Sequence, residues 1–152
     1  MAVLNDFPAL NLPHAKLRLT VKEGREMVWD IIRKRWVRLT PEEWVRQHWI
    51  HALCDHAAYP ASLMQVECKV PFNGLDKRFD VVMRNRDLSI FFLLECKAPE
   101  VPLTRDTLLQ ASVYARVLQP QHIFLSNGLQ HYLYAVEKGQ LRLLEGIPGY
   151  RL

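Results

Sequence analysis

The sequence predicts an α/β sandwich, a central mixed β-sheet flanked by helices. Three observations carry this. A helix-periodic segment opens at Thr40-Pro41, apolar stretches of strand length fill 63–97 around the turn signal Asn73-Gly74, and a second helical segment from Thr104 leads into another strand-like run at 122–126. The order helix, three strands in a meander, helix, strand layers helices on a sheet. A right-handed crossover through the second helix makes the strands on either side of it parallel.

The length of 152 residues, 49% of them hydrophobic and 24% charged, fits one folded domain and not a disordered chain. A net charge of +4 permits a polyanionic partner without requiring one. Cys54, Cys68 and Cys96 form no CxxC or Cys/His cluster, which excludes the usual zinc sites and suits a reducing cytoplasm. The N-terminal stretch has no basic start followed by an apolar run, and no segment offers the roughly 20 apolar residues that span a bilayer, so a soluble protein without membrane contact is expected.

In chain order, residues 1–24 contain Pro8 and Pro13, show little periodicity and end in Gly24. They read as an irregular arm, with a short strand at Leu17 to Val21, laid on a single domain formed by 25–152. Met27 to Ile32 and Trp36 to Leu39 flank Arg33-Lys34-Arg35, a hairpin with a basic tip that either touches phosphate or is a solvated turn. Thr40 as N-cap, Pro41 at the first helical position and Glu43 closing a capping box start a helix expected to reach about His56. Trp44, Val45, Trp49, Ile50, Leu53 and Cys54 recur on its buried face, and His48, His51 and His56, without a metal-binding pattern, read as surface or capping residues.

Leu63 to Val70 and Arg78 to Arg84 are expected to pair as a hairpin around Asn73-Gly74. Ser89 to Lys97 follows as a third strand whose run IFFLLEC is apolar on both faces, as in a central strand covered on each side. Thr104 caps a second helix through Leu118, stopped by Pro120. His122 to Ser126, then Gln130 to Val136 with Leu141 to Leu144 around Lys138-Gly139, complete the strands.

The chemistry concentrates where the central strand ends. Glu95 and Lys97 interrupt an apolar run and, being two apart, share a face. Asp80 is another acid inside an apolar strand, RFDVVM. If the intervening loop is centred between Asp87 and Leu88, Asp80 lies directly across from Glu95, with Cβ atoms about 4.5 to 5.5 Å apart. Carboxylates that close repel unless one is protonated or a cation lies between them, and magnesium takes a few carboxylate oxygens plus waters. The bland alternative is that Lys97 neutralises both acids in a buried ion-pair cluster. Glu67 and Lys69 in QVECKV form a second ExK string, which reads as a solvated or locally paired decoy because no suitable Asp precedes it.

Asp80 followed by Glu95-Cys96-Lys97 after an apolar strand resembles the PD-(D/E)xK nuclease superfamily. The longer strings WVRLTPEEWVRQHWIHAL, RFDVVM, LLECKAPEVPLT and SNGLQHY resemble, more narrowly, the N-terminal nuclease domain of type I restriction enzyme R subunits. The likeness covers roughly residues 27 to 150. It implies a restriction-endonuclease-like fold over 25–152 and a metal-dependent DNA nuclease. Asp80, Glu95 and the Cys96 carbonyl would hold Mg²⁺, with Mn²⁺ as a substitute, and Lys97 would orient the attacking water and stabilise the scissile phosphate. Glu43 matches a position where many members carry an additional acid, although capping already explains it. Gln110 and Tyr114, four apart on the second helix, resemble a QxxxY motif that positions the Lys or the DNA backbone; packing on the sheet explains Tyr114 equally well.

Two departures stand out. Phe79 replaces the Pro of the superfamily name, and no GxxxxGK[ST] phosphate loop is present, so this stretch carries no ATP-driven motor. DNA is the expected partner, with Arg33, Lys34, Arg35, Arg38, Lys77, Arg78 and Arg105 as candidate backbone contacts; a protein partner or a homodimer stays open. The rival readings are a non-catalytic DNA-binding or docking module on the same fold, and a hydrolase or phosphotransferase acting on RNA or a nucleotide.

Overall fold

Two helix caps and a set of tight turns fix most of the architecture. The computed structural model describes residues 7–150, so the parts of the expected arm and domain at 1–6 and 151–152 lie outside the described residues. Strands β1 (Leu19–Lys22), β2 (Arg25–Asp30) and β3 (Arg35–Arg38) form a small antiparallel sheet in that order. Leu10 and Leu12 of the arm pack against the core, Phe7 stacks on Trp44 at 5.2 Å, and the Asn11 N–H donates to the Gly128 carbonyl at 2.8 Å.

Helix α1 (Pro41–His51) begins where Thr40 accepts a hydrogen bond from the Glu43 N–H at 3.1 Å. The reciprocal half of the expected capping box is missing, because the Glu43 carboxylate accepts from Arg33 instead, at 2.8 Å. The helical path does reach His56, but its last turn, Ala52–His56, is π-helical. Val45, Trp49, Ile50 and Leu53 are fully buried on its inner face. His48 corrects the surface reading: it is 7% exposed, with Nδ1 2.7 Å from the Trp44 carbonyl, and burial pushes its pKa down, so the ring sits neutral with Nδ1–H donating.

The main sheet contains β4 (Met64–Phe72), β5 (Leu75–Arg84), β6 (Ile90–Cys96), β7 (His122–Ser126), β8 (His131–Glu137) and β9 (Gln140–Leu143), neighbours in chain order. Asn73 and Gly74 join β4 to β5 with φ of 49° and 78°, the left-handed pair that a two-residue hairpin turn requires. Among these pairings only β6 with β7 is parallel, and helix α2 (Arg105–Leu118) makes that crossover. Thr104 and Thr107 cap α2 reciprocally, and Gln119, in the left-handed region, ends it.

Every residue of β6 is buried. One core, containing Trp49, Val81, Phe92, Leu94 and Phe124, lies on the α1 side; a second, containing Phe79, Leu93, Tyr114, Ile123 and Leu125, lies on the α2 side. Each such large apolar side chain contributes roughly 1.5–3 kcal/mol relative to exposure. A mixed sheet with one parallel crossover, covered by a helix on each face, is the restriction-endonuclease-like α/β sandwich expected.

Candidate functional site

The β5/β6 ladder follows the anticipated register from Val81, opposite Leu94, to Met83, opposite Phe92; beyond it an irregularity shifts the pairing so that Arg84 faces Ile90, and at the other end the ladder stops at Val81. Asp80 and Glu95 would form the next rung. At that point the strand twists: Val81 packs into the α1-side core, while Phe79, two residues earlier, packs into the α2-side core. The opposite strand breaks at the same level. Glu67, between the paired residues Val66 and Cys68, adopts a φ of 53°, a strained left-handed conformation for a strand residue.

Asp80 therefore turns toward α1. Its Oδ1 accepts from Arg46 Nη2 at 2.8 Å and its Oδ2 from the Cys96 backbone N–H at 2.9 Å. Glu95, 8% exposed, turns toward α2, with Oε1 2.9 Å from Lys77 Nζ. Burial opposes the charge on Lys77, but the Glu95 hydrogen bond together with the negative charges of Glu95, Tyr114 and Asp80 outweighs it and raises the pKa. The Lys77 ammonium also lies over the rings of Phe79 and Tyr114, at 5.1 and 5.9 Å. Burial and the Glu95 charge push the Tyr114 hydroxyl pKa up. Phe79 thus has a packing role in place of the superfamily's proline.

The two acids do not face each other across a rung. They reach one cavity of about 290 Å³ from its two sides, and Lys97, Cys96, Glu42 and Glu67 line it as well. The bland reading assigned Lys97 to neutralising these acids; Arg46 and Lys77 do so instead. Among the described residues no ion pair within 4 Å holds the Lys97 ammonium. Its backbone N–H is fixed by the Ser126 carbonyl at 2.8 Å, where β6 and β7 end together.

Behind the cavity lies a buried charge cluster. Arg33 bridges Asp30 and Glu43, each at 2.8 Å, and Arg46 reaches Glu43 at 3.2 Å and Glu67 at 3.7 Å. Gln47 donates to Asp30 at 2.9 Å and to Glu43 at 3.2 Å. Burial favours neutral Asp30, but hydrogen bonds from Arg33 and Gln47 prevail and hold its carboxyl below the usual range. Two expectations change. Arg33, 12% exposed at its side chain, is committed to this cluster and not offered to DNA, and Glu67 joins the site through Arg33 and Arg46 instead of standing apart as a decoy.

Of the remaining candidates, Glu43 is 6% exposed within that cluster and does not line the 290 Å³ cavity. Tyr114 is buried beside Lys77, whereas Gln110 is exposed on α2 and outside the lining. Lys34, Arg35, Arg38, Arg78 and Arg105 are exposed. Arg46 and Glu42 were missed in sequence. Glu42 sits beside Glu43 but points to the cavity; burial first, then the negative charge of Asp80, raises its pKa.

The donor set suits a hard divalent cation. Asp80, Glu95 and Glu42 offer carboxylate oxygens around a space large enough for bound water, and burial, followed by the negative charge of Asp80, raises the pKa of Glu42. Among the described residues no three His, Cys, Asp or Glu side chains converge closely enough to form a complete ligand set.

Among the described residues no helix is long and apolar enough to cross a membrane. Comparison with curated proteins gave no match. Among solved structures, similarity was found to the fragment structure of a chain assigned as an HsdR subunit of a type I restriction enzyme from Vibrio vulnificus YJ016, at 24% identity and a TM-score of 0.38 over 57% of this chain. The present chain spans only 16% of that one. A protein from Anabaena variabilis ATCC 29413 assigned as a DUF820 nuclease is similar at 10% identity and a TM-score of 0.47, covering 89% of this chain and 80% of that one. The profile of the family described as "Type I restriction enzyme R protein N terminus" matches residues 41–148, well over half of the sequence. The chain belongs to that family, the type I restriction enzyme R protein N termini.

Proposed function

We propose that this chain is a magnesium-dependent DNA nuclease that hydrolyses phosphodiester bonds, with manganese able to substitute. The observation that carries the reading is the convergence of Asp80, from the middle of β5, and of Glu95 and Lys97, at the end of β6, on one polar cavity, where among the described residues no ion pair within 4 Å holds the Lys97 ammonium. Asp80 and Glu95, with the Cys96 carbonyl, would hold the metal. When bound, the metal supplies Lewis-acid polarisation of the phosphate and lowers the pKa of a bound water. Arg46 and the Cys96 N–H fix the Asp80 carboxylate, so its orientation is set before substrate arrives. Lys97 orients the attacking water and stabilises charge on the scissile phosphate. Tyr114 buttresses Lys77 and Glu95 from the α2 side, and exposed Gln110 is available to the DNA backbone. Glu43 acts through Arg33 and Arg46, behind the reacting groups.

Cleavage of linear, circular, single-stranded and branched DNA, and of RNA, by purified protein with Mg²⁺, Mn²⁺ or EDTA tests this. Metal-dependent cutting of DNA is expected. No cutting of any substrate would favour a non-catalytic DNA-binding or docking module. That second reading draws on one observation: the four acids lining the cavity, Glu42, Glu67, Asp80 and Glu95, are matched by four bases, Arg46, Lys77, Arg78 and Lys97, so the site balances its charge without a metal. With Cys54, Cys68 and Cys96 all free, the reading places the protein in a reducing cytoplasm. DNA is the proposed partner, and family membership supports participation in a restriction-modification assembly, through a protein partner or a homodimer.

A further inference from the structure

The small sheet in front of the site has two unlike faces. Its inner face sends Val28 and Asp30 into the interior, both fully buried. Strand alternation and the pairings Lys22 with Arg25, Thr20 with Met27, Met27 with Arg38 and Trp29 with Trp36 place all of these residues on the outer face. No acidic residue holds a strand position there; Glu26 and Asp30 alternate inward, and Glu23 sits in the turn at the edge.

The cations are held in place. The Arg18 guanidinium lies over Trp29 at 5.2 Å and over Trp36 at 5.4 Å, and the Lys22 ammonium lies over Trp36 at 5.3 Å. The two half-buried indoles meet edge to face at 5.5 Å and form a rigid base. Exposed charges docked on aromatic faces keep their N–H donors directed outward while losing little rotamer entropy on binding. A groove of about 520 Å³ then runs from Met27, Trp36 and Arg38 to Glu42, Arg46 and Glu67, the last three of which also line the candidate catalytic cavity.

We propose that this outer face is a docking surface for the DNA backbone, seating the phosphates that flank the scissile one and leading the strand along the groove into the cavity. The proposal rests on the nuclease reading for the identity of the polyanion, and it adds Arg18, Lys22 and Arg25 to the contacts expected from sequence. Because the indole faces are already covered by cations, the surface takes phosphates and not bases, and binding is indifferent to base sequence.

The test is fluorescence anisotropy of a labelled DNA duplex with wild type, the triple variant R18A/K22A/R38A and the control R86A, in EDTA across a salt series, with melting temperatures confirming the fold. The triple variant is expected to bind at least tenfold more weakly, with the dependence of log K on log salt shallower by about 0.9 for each phosphate that the protein no longer neutralises; R86A should match wild type. Equal affinity and slope for triple variant and wild type, or no DNA binding by wild type, would overturn the proposal. Cleavage assays on the same proteins separate the two readings. Metal-dependent cutting with unchanged binding in the triple variant would refute the surface and leave the nuclease intact. Loss of binding in the triple variant of a protein that never cuts would do the reverse.

Discussion

Arg46 and Asp80, 34 residues apart in sequence, meet at 2.8 Å with their side chains only 8% and 12% exposed. This ion pair joins the first helix to the strand that carries the site. It also stands in for the cation expected between Asp80 and Glu95, since Arg46 claims one acid and Lys77 the other.

Replacing Arg46 by Ala should therefore be costly. It strips a buried guanidinium from Asp80 and Glu43 and leaves both acids short of a partner. A loss of about 3–5 kcal/mol is expected, measured by urea denaturation. Arg46→Lys should recover little of it, because a single ammonium cannot reproduce the planar fork. A loss below about 1 kcal/mol would mean the cluster does not hold the helix to the strand.

The adjacent acids Glu42 and Glu43 should behave oppositely. Glu43→Gln leaves Arg33 and Arg46 undercompensated in a buried cluster and should destabilise by about 3 kcal/mol or more. Glu42→Gln removes a half-exposed carboxylate that burial and Asp80 already disfavour, so the melting temperature should hold or rise slightly. If Glu42 helps hold the metal, calorimetric titration with Mg²⁺ should show weaker binding in that variant. Matching thermal shifts for the two variants would contradict the assignment.

Stability should fall on mild acidification. Burial lowers the pKa of both His48 and His122 from the usual 6.5. Between those lowered values and 6.5 the unfolded chain binds more protons than the folded one, so the full stability is present above about 6.5 and declines as pH drops through that window. Melting temperatures measured from about pH 8 to about pH 5 should decrease, and His48→Gln should flatten the decrease. A profile identical in the variant would show that His48 does not carry it.

Gly128 should tolerate no side chain. Its φ is +86°, and a Cβ there would come within 2.7 Å of Leu10 Cδ2 and 3.2 Å of Val45 Cγ2. Gly128→Ala should destabilise by about 1–3 kcal/mol, through strain and through displacement of the arm. Faster proteolysis within the arm, at residues 7–18, would confirm the second route; an unchanged melting temperature would refute both.

The parts of this protein legible in sequence are those set by local chemistry. Thr40-Pro41 announced α1, Asn73-Gly74 the β4/β5 hairpin, IFFLLEC the central strand, and Thr104 with Pro120 the limits of α2. The distance from Asp80 to Glu95 was legible as a register, and the ladder follows it up to Val81 and Leu94. What escaped were the consequences of interactions between distant segments. Asp80 turns away from Glu95 because Arg46 and the Cys96 N–H draw it, and neither pull is visible in the string RFDVVM. Glu43 fitted a capping box that its carboxylate abandons for Arg33, ten residues earlier. His48 looked like a surface residue because its polarity hides a helix face that Trp44 and the arm cover. The outer face of the small sheet was hidden for a similar reason, since Arg18 and Lys22 acquire meaning only when Trp29 and Trp36 are paired beneath them.

The central claim is tested most directly by the rate of DNA cleavage in Mg²⁺ by Lys97→Ala beside wild type, with the melting temperature measured on the same samples. Lys97 makes no ion pair among the described residues, so its removal should leave stability within about 0.5 kcal/mol of wild type. Cleavage should fall by at least a hundredfold, the size of effect expected from removing a group that acts on the transition state. A folded Lys97→Ala protein that cuts DNA at the wild-type rate would contradict the account.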